Sequence, residues 1–271
     1  MKKKNTEEVA KIEEIEKEEK VEVVYTDKVE ETQKTEEFVS EKTEEVSVDD
    51  KEKANEELYK RVVKVKGGKG YAFFKRLFDI FCSLLAIIVL SPIMIIVGLL
   101  VILTSRGPMI YVSKRIGKNG KVFNFYKFRS MYKDAEQRLQ ELLDKNEVEG
   151  GVIFKMKDDP RITKFGKFIR KTSLDELPQL FNILKGDMSI VGPRPSTDRE
   201  YKLMNDYHKQ RFLVPQGLTG EWQVGGRSTT TFEEMITMDL DYIEKKRGFW
   251  YDIKLIFKTV GVIFKKDNGA E

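Results

Sequence analysis

The chain has 271 residues, enough for one large domain or two small ones, and its 49 basic and 45 acidic side chains give a net charge of +4. Its only cysteine, Cys82, excludes an intrachain disulfide, and its only histidine, His208, excludes metal sites that need two imidazole ligands. The remaining metal ligands are oxygen atoms, which favour Mg²⁺ over Zn²⁺.

Charge is unevenly distributed between residues 1–66 and the rest of the chain. The first segment has 15 basic and 21 acidic side chains and no glycine or proline, whereas residues 67–271 have 34 basic and 24 acidic side chains. Apolar residues in the first segment are too sparse for a core, so we predict a charged extension over residues 1–70 that is disordered or transiently helical. A coiled-coil partner helix is the alternative. The basic body suits partners that carry phosphate: nucleic acid, anionic lipid or nucleotide sugars.

No apolar stretch follows the N-terminal Met-Lys-Lys-Lys, so we expect no cleaved secretory signal. The first apolar run is the stretch of 24 uncharged residues from Ile80 to Leu103. At about 1.5 Å per residue, a helix of this length crosses a bilayer core of about 30 Å. An ordinary membrane-spanning helix is therefore one interpretation of the run.

Two features favour a different membrane topology. Ser91-Pro92 lies at the middle of the run, where proline removes a backbone donor and bends or breaks a helix. Basic residues also flank the run on both sides, and such flanks are retained on the cytoplasmic side. We therefore predict a re-entrant helix-break-helix membrane hairpin over residues 71–106, with the break at Ser91 and Pro92. The flanking cations are Lys75, Arg76, Arg106, Lys114 and Arg115.

The rest of the chain, residues 107–271, is predicted to form a cytosolic domain of the α+β class, mainly helical, with a small β-hairpin. Asn119-Gly120 lies between two apolar runs, which is typical of a hairpin turn. Further helices are predicted over residues 131–146, 162–171, 232–246 and 250–265.

Two of these helices have patterns that suit a membrane interface. In the helix at 162–171, Phe165, Phe168 and Ile169 share one face and cations occupy the other. Such a stripe fits either a core-facing helix or an amphipathic helix at the lipid headgroups. The helix at 250–265 is rich in aromatic and aliphatic residues. Trp250 within it, like the earlier Trp222, is interpreted as a core or interface residue.

The adjacent acids Asp175 and Glu176 are the strongest candidates for chemistry. The ordinary interpretation is a capping box, with Ser173 as N-cap, Glu176 at the third helical position and Gly186 ending the helix. Cations nearby favour a functional role, because a carboxylate pair at a positive helix terminus can hold phosphate and Mg²⁺ and stays ionised at neutral pH. These cations are Arg161, Lys164, Lys167, Arg170, Lys171 and Arg194.

Other polar residues allow two interpretations each. Lys127 and Arg129 alternate with aromatic residues on a predicted strand and are either phosphate ligands or a solvated strand face. Arg194 lies in a Pro-Arg-Pro unit that fits a phosphate clamp or a structural turn. Asp239 and Asp241 are acids near the site or ordinary surface residues. We place His208 on the surface.

Several separated motifs between Phe74 and Lys265 resemble the bacterial sugar transferases, also called monotopic phosphoglycosyl transferases. They occur in the order found in that family, downstream of the Ser-Pro break. The motifs are Lys127-Phe128-Arg129-Ser130-Met131, Asp159-Pro160-Arg161-Ile162-Thr163, the stretch from Thr163 to Leu180 with its Asp-Glu dyad, Gly192-Pro193-Arg194-Pro195, Gly217-Leu218-Thr219-Gly220, Trp222-Gln223-Val224 and Gly226-Arg227-Ser228.

The resemblance implies a two-step transfer of sugar phosphate from a UDP-sugar to a polyprenyl (undecaprenyl) phosphate. Asp175 matches the nucleophile of the family, and Glu176 would help to hold Mg²⁺ or a proton. Cations such as Arg161, Arg170 and Arg194 would neutralise phosphoryl oxygens. The family places such enzymes on the cytoplasmic side of the bacterial inner membrane, at the start of surface polysaccharide or glycoconjugate synthesis. The chain resembles the compact form that lacks further N-terminal spanning helices.

Two other functions compete with this interpretation. A non-catalytic membrane adaptor that binds anionic lipid explains the charge asymmetry and the apolar run, but gives no reason for the Asp-Glu dyad. Nucleic-acid binding explains the basic body alone, and we expect none because it leaves the apolar run without a role. The sequence does not indicate the sugar, the pathway or the oligomeric state.

Overall fold

The structure is a computed structural model that describes residues 59–142, 156, 158–225 and 230–263. The described residues form one compact unit. Residues 1–58 of the predicted extension and the end of the predicted helix at 131–146 lie outside the described residues. The described part is mainly helical with a small antiparallel β-hairpin, which confirms the predicted fold class at that level.

The longest element is helix α1 (Lys69–Thr104, 36 residues), which contains the whole uncharged run. Its half-buried and buried positions recur every three or four residues from Lys75 to Val101, so one stripe of the helix faces the body along its length. The rest of its surface exposes large apolar side chains, including Phe73, Phe81, Ile88, Ile95 and Leu103.

Pro92 lies inside α1 and cannot donate to the carbonyl of Ile88 four residues earlier. The hydroxyl of Ser91 donates to that carbonyl instead, at 2.8 Å. This is the compensation that the Ser-Pro sequence predicts, and helical geometry is assigned on both sides of it. Among the described residues, α1 is the one helix long and apolar enough to cross a membrane.

The predicted hairpin consists of strands β1 (Ile110–Ile116) and β2 (Val122–Phe128), paired antiparallel. The turn between them contains Asn119 at φ 55° and Gly120 at φ 75°. Asparagine and glycine adopt this left-handed region most readily, which explains why the dipeptide predicted the hairpin correctly.

Helices α2 (Ala135–Leu142), α3 (Lys164–Lys171) and α4 (Gln179–Lys185) follow the hairpin. Thr163 caps α3 by accepting from the N–H of Gly166 at 2.8 Å. α4 packs between α1 and β2, where Phe123, Phe125, Leu180 and Ile183 form a buried apolar cluster. Gly186 ends α4 at φ 95°, as predicted.

A second sheet, which the sequence did not predict, pairs β3 (Ser189–Val191) with β4 (Gly217–Thr219) in parallel. Two short helices, α5 (Asp198–Leu203) and α6 (Asp206–Lys209), lie between these strands in the chain, with a 3₁₀ turn at Gln210–Leu213 after them.

The last described elements are α7 (Glu221–Gly225), α8 (Phe232–Asp241), a π-helical turn (Tyr242–Lys246) and α9 (Phe249–Ile263). These confirm the two predicted C-terminal helices. Trp222 is buried in the core, whereas Trp250 is 80% exposed on the surface. The prediction that His208 lies on the surface is wrong. It is buried, with its ring packed edge-on against Phe232, because α8 covers it.

The segment before α1 contacts the C-terminal part of the body. Val63 is buried, and its N–H donates to Gln210 at 2.6 Å. The N–H of Lys66 donates to the carbonyl of Ile243 at 2.9 Å, and Arg247 donates to the carbonyl of Lys66 at 2.7 Å. The backbone of Val63 and Lys66 is therefore fixed to the body by hydrogen bonds to side-chain and backbone atoms.

Candidate active site

Asp175 and Glu176 lie on a 3₁₀ turn (Leu174–Glu176) between α3 and α4. Leu174 and Leu177, on either side of the two acids, pack into an apolar cluster with Ile169 of α3 and with α1. The Leu-Asp-Glu-Leu sequence thus anchors the turn by its outer residues and holds the two carboxylates between them.

The capping box, which was the ordinary interpretation of this sequence, does not form. Ser173 has a left-handed conformation (φ 56°) and its side chain makes no capping hydrogen bond. Asp175 and Glu176 therefore precede α4 instead of lying in its first turn, and α4 begins at Gln179 after Pro178. Proline suits this position because the first helical residues need no N–H donor.

Lys127 of β2 contacts both acids. Its Nζ lies 2.6 Å from Oε1 of Glu176 and 3.6 Å from Oδ2 of Asp175. Strand β2 is fixed beside the turn by Asn182 of α4. The Asn182 side chain donates to the carbonyl of Asn124 at 2.6 Å and accepts from the N–H of Tyr126 at 3.1 Å. The structure thus brings Lys127, Asp175 and Glu176 together.

Asp175 is buried, with 5% of its surface exposed. Burial raises the pKa of its carboxyl above the usual value, and the negative charge of Glu176 raises it further, while Lys127 and Arg170 lower it. We expected the surrounding cations to dominate, but burial is the largest influence. Proton affinity at Asp175 is therefore sensitive to the loss of either cation.

Arg161 and Arg170 are held on the α3 side of the dyad. Arg161 donates to both carboxylate oxygens of Asp159, at 2.6–3.1 Å, in a buried pair. Burial alone would raise the pKa of Asp159, but the hydrogen bonds from Arg161 bring it below its usual value. Burial lowers the pKa of Arg170, and the carboxylates of Asp175 and Asp159 oppose that shift. Arg170 is thus the arginine of α3 whose charge acts on the dyad.

Arg194 is exposed between two buried prolines. Its segment is held by the parallel sheet: the N–H of Gly217 donates to the carbonyl of Pro193 at 2.8 Å. A Cβ atom on Gly217 would lie only 2.2 Å from the nitrogen of Gly192, so this backbone contact requires glycine. Among the described residues, Arg194 has no hydrogen bond or ion pair.

Arg129 is not brought to the dyad. Its guanidinium donates to the carbonyl of Ser105 at 2.6 Å and to the Ser105 hydroxyl at 2.9 Å, immediately after α1. It therefore fixes the end of α1 to the end of β2. The sequence could not separate Arg129 from Lys127, because the two residues have the same parity on one strand.

Asp239 and Asp241 have different environments. Asp239 is fully buried and accepts from Arg211 at 2.5 Å, and burial raises its pKa to about 6. Arg211 also donates to the Ser196 hydroxyl at 3.1 Å, directly after the Pro-Arg-Pro unit. Asp241 pairs with Lys245 one helical turn later. Asp239 thus supports the backbone near Arg194, whereas the ion pair of Asp241 is with a residue of its own helical segment.

The two carboxylates of the dyad fit Mg²⁺ when substrate phosphates supply further ligands. In the described part of the chain there is no group of three or more His, Cys, Asp and Glu side chains that could hold a metal ion. Mg²⁺ in phosphoryl transferases is commonly held by one or two carboxylates together with substrate phosphates and water. Asp175 and Glu176 provide those carboxylates, with Lys127 as the cation that lies against them.

Two further residues support the site, and no role was predicted for either from the sequence. Asp159 neutralises Arg161, and Asn182 joins α4 to β2. The Asp-Pro-Arg spacing was a signal for the first, because a carboxylate two residues before an arginine can reach it across a turn. Nothing in the local sequence indicated the second.

Comparison with known proteins adds an independent observation. A family model described as bacterial sugar transferase matches residues 70–266. The galactosyl transferase CpsE of Streptococcus agalactiae is 52% identical over 158 residues, which cover 58% of this chain and 35% of that protein. The undecaprenyl-phosphate galactose phosphotransferase of Salmonella typhimurium is 45% identical over 199 residues, which cover 72% of this chain and 41% of that protein.

The chain therefore spans about two fifths or less of the length of these two relatives. A third relative matches over most of its own length. The exopolysaccharide production protein ExoY of Sinorhizobium fredii is 38% identical over 192 residues, which cover 70% of this chain and 84% of that protein.

Proposed function

Because the chain belongs to the bacterial sugar transferase family, we propose that it transfers sugar 1-phosphate from a UDP-sugar to polyprenyl phosphate. The observation that carries the proposal is the contact of Lys127 with two adjacent acids, one of them buried. A buried carboxylate beside fixed cations is suited to attack phosphorus while the cations offset charge on the phosphoryl oxygens.

The reaction proceeds in two steps through Asp175. Its carboxylate oxygen attacks the sugar-bearing phosphorus of the UDP-sugar, UMP departs, and a phosphosugar-aspartate remains. The phosphate of the polyprenyl carrier then attacks the same phosphorus and releases Asp175. Division into two steps allows one small site to receive a soluble donor and a lipid acceptor in turn.

The other residues stabilise charge around that nucleophile. Lys127 holds Glu176 and lies near the Asp175 oxygen that would bear the phosphosugar. Arg170 and Arg194 supply cations for the diphosphate, whereas Arg161 is already paired with Asp159 and acts through the structure of the turn. Mg²⁺ bound by Asp175, Glu176 and the diphosphate would add charge neutralisation on the phosphoryl oxygens.

The packing of α1 supports a monotopic, re-entrant placement in the membrane. Near its start, Arg76 donates to the carbonyls of Ile183 and Leu184 at the end of α4, at 2.6 and 2.8 Å. Just past its end, Ser105 accepts from Arg129. Because a charged body cannot lie on both sides of a bilayer, contacts at both ends favour one side for both, the cytoplasmic side of the inner membrane.

Topology can be measured with single cysteines at the two ends of α1 in a Cys82→Ser background. Gly70→Cys and Thr104→Cys place thiols at exposed positions. A membrane-impermeant maleimide is expected to label both in inverted vesicles and neither in sealed right-side-out vesicles. Labelling of the two positions from opposite sides would establish a spanning helix.

The activity is tested by incubating the purified chain with a panel of UDP-sugars, Mg²⁺ and one polyprenyl phosphate. UMP release that requires both the lipid acceptor and the divalent ion is expected, and UDP-galactose is the first donor to test because two relatives are named for galactose. A chain that binds anionic vesicles but releases no UMP from any donor would instead be a lipid-binding adaptor.

The pH dependence of the donor step depends on Lys127. Because Lys127 lowers the pKa of Asp175 against the effect of burial, Lys127→Met is expected to raise that pKa. The nucleophile must be ionised, so activity will be lost at a higher pH on acidification than in the wild type. The measurement is the pH profile of UMP release, with Lys121→Met at an exposed turn position as the control. If UMP release by Lys127→Met falls at the same pH on acidification as in the wild type, the result would contradict an effect of Lys127 on the pKa of Asp175.

A further inference from the structure

Arg115 lies on the same face of the β-hairpin as Lys127. The register pairs Arg115 with Phe123, Ser113 with Phe125 and Tyr111 with Lys127. The guanidinium carbon of Arg115 is 5.3 Å from the centroid of the Phe125 ring, and Nζ of Lys127 is 5.7 Å from the same centroid. One ring thus separates Arg115 from the lysine that contacts the dyad.

The side chain of Arg115 has no hydrogen bond or ion pair among the described residues. Its Nε is buried without a partner, as is the hydroxyl of Ser113, two residues earlier on the same face. Buried donors without acceptors are rare in folded proteins, because each loses its hydrogen bonds to water. Two such donors side by side indicate a place where a ligand supplies the acceptors.

The backbone holds Arg115 beside the Pro-Arg-Pro segment. The N–H of Ile116 donates to the carbonyl of Ser196 at 2.9 Å, so β1 ends against the residue that follows Pro195. Arg194 in that segment also has no ion-pair partner among the described residues. Two unpaired guanidinium groups are therefore attached to two backbone segments that are hydrogen-bonded to each other.

Acids act on Arg115 through their charge, but among the described residues none forms an ion pair with Arg115 or Arg194. Burial lowers the pKa of Arg115, the carboxylates of Glu200 and Glu136 oppose that shift, and the charge of Arg194 lowers the pKa further. Glu200 accepts from the N–H of Thr197 at 2.9 Å in the capping box of α5, and this contact holds its carboxylate at the start of that helix. The two guanidinium groups repel each other, and an anion bound between them would offset that repulsion.

We propose that Arg115 and Arg194 form a phosphate-binding subsite that positions a phosphate group of one substrate beside the Asp175-Glu176 dyad. The proposal rests on the transferase function proposed above and adds Arg115 to its binding residues. Guanidinium groups bind phosphate oxygens through paired hydrogen bonds, and Ser113 can donate one more. The phosphate belongs either to the nucleotide-sugar diphosphate or to the polyprenyl carrier, and kinetics distinguishes these sources.

The test compares Arg115→Gln, Arg115→Lys and the neighbouring exposed control Lys114→Gln in the full-length chain. KM is measured separately for the UDP-sugar and for the polyprenyl phosphate, and the affinity for inorganic diphosphate is measured by calorimetry without any sugar nucleotide. Arg115→Gln is expected to raise one KM and to weaken diphosphate binding about ten- to hundredfold. Arg115→Lys should recover part of the loss, and Lys114→Gln should change neither quantity by more than about twofold.

A raised KM for the UDP-sugar assigns the subsite to the donor, and a raised KM for polyprenyl phosphate assigns it to the acceptor. Unchanged values of both KM and diphosphate affinity in folded Arg115→Gln would overturn the subsite, as would an equal loss in Lys114→Gln. The two proposals can also fail separately. If Arg115→Gln weakens diphosphate binding but the wild-type chain releases no UMP from any donor, the subsite is supported and the transferase function is rejected.

Discussion

Asp175→Asn is expected to abolish transfer, with a loss of UMP release on the order of 10⁴-fold or more. The amide keeps the shape of the side chain but has no negatively charged oxygen that could attack phosphorus, so the phosphosugar-aspartate cannot form. Burial already raises the pKa of Asp175, which means that the folded state bears a cost for ionising it. The neutral variant is relieved of that cost, so its unfolding temperature should equal or exceed that of the wild type.

Single-turnover assays with labelled UDP-sugar give the decisive measurement for this variant. The wild type should retain labelled phosphosugar on the protein in the absence of acceptor, and Asp175→Asn should retain none. Glu176→Gln serves as the matched control at the adjacent position and should still form the adduct at a reduced rate. Full activity in Asp175→Asn would refute the assignment of the nucleophile.

Lys75→Met is expected to have the largest effect on stability, with a loss of about 3–5 kcal/mol in the free energy of unfolding. Lys75 and Asp252 form a buried ion pair at 2.7 Å that joins α1 to α9. Tyr71 and Tyr242 also donate to the Asp252 carboxylate, at 2.6 and 2.7 Å. Removal of the lysine leaves a buried carboxylate whose remaining donors are neutral.

Denaturant unfolding in detergent measures this loss, with Lys69→Met at the exposed start of α1 as the control. In a double-mutant cycle, Lys75→Met combined with Asp252→Asn should be more stable than Lys75→Met alone, because no unpaired charge remains. Equal stability of Lys75→Met and Lys69→Met would show that the pair contributes nothing to the attachment of α1.

Local sequence patterns predicted the elements that depend on near neighbours. Asn119-Gly120 predicted the hairpin because its left-handed backbone angles suit those two residue types. Apolar periodicity predicted the helix that became α3, and Gly186 predicted the end of α4. Adjacency in sequence was enough to place Asp175 beside Glu176.

Local patterns failed where a distant segment decided the outcome. The spacing of Ser173 and Glu176 is typical of a helix cap, but packing of Leu174 and Leu177 against α1 and α3 holds the acids on a separate turn. The parallel pairing of β3 with β4 joins segments that are far apart in the chain, and neither three-residue strand has a distinguishing pattern of its own.

The residue types available for phosphate chemistry, the apolar run and most of the helices follow from the amino-acid sequence alone, because they depend on composition and on spacing within a few residues. Which cations reach the dyad depends instead on the folded chain. Lys127 contacts it and Arg129 contacts Ser105, although both residues lie near the same strand end. Contacts between side chains far apart in sequence depend on how the helices and strands pack together, and that information is not contained in any local pattern.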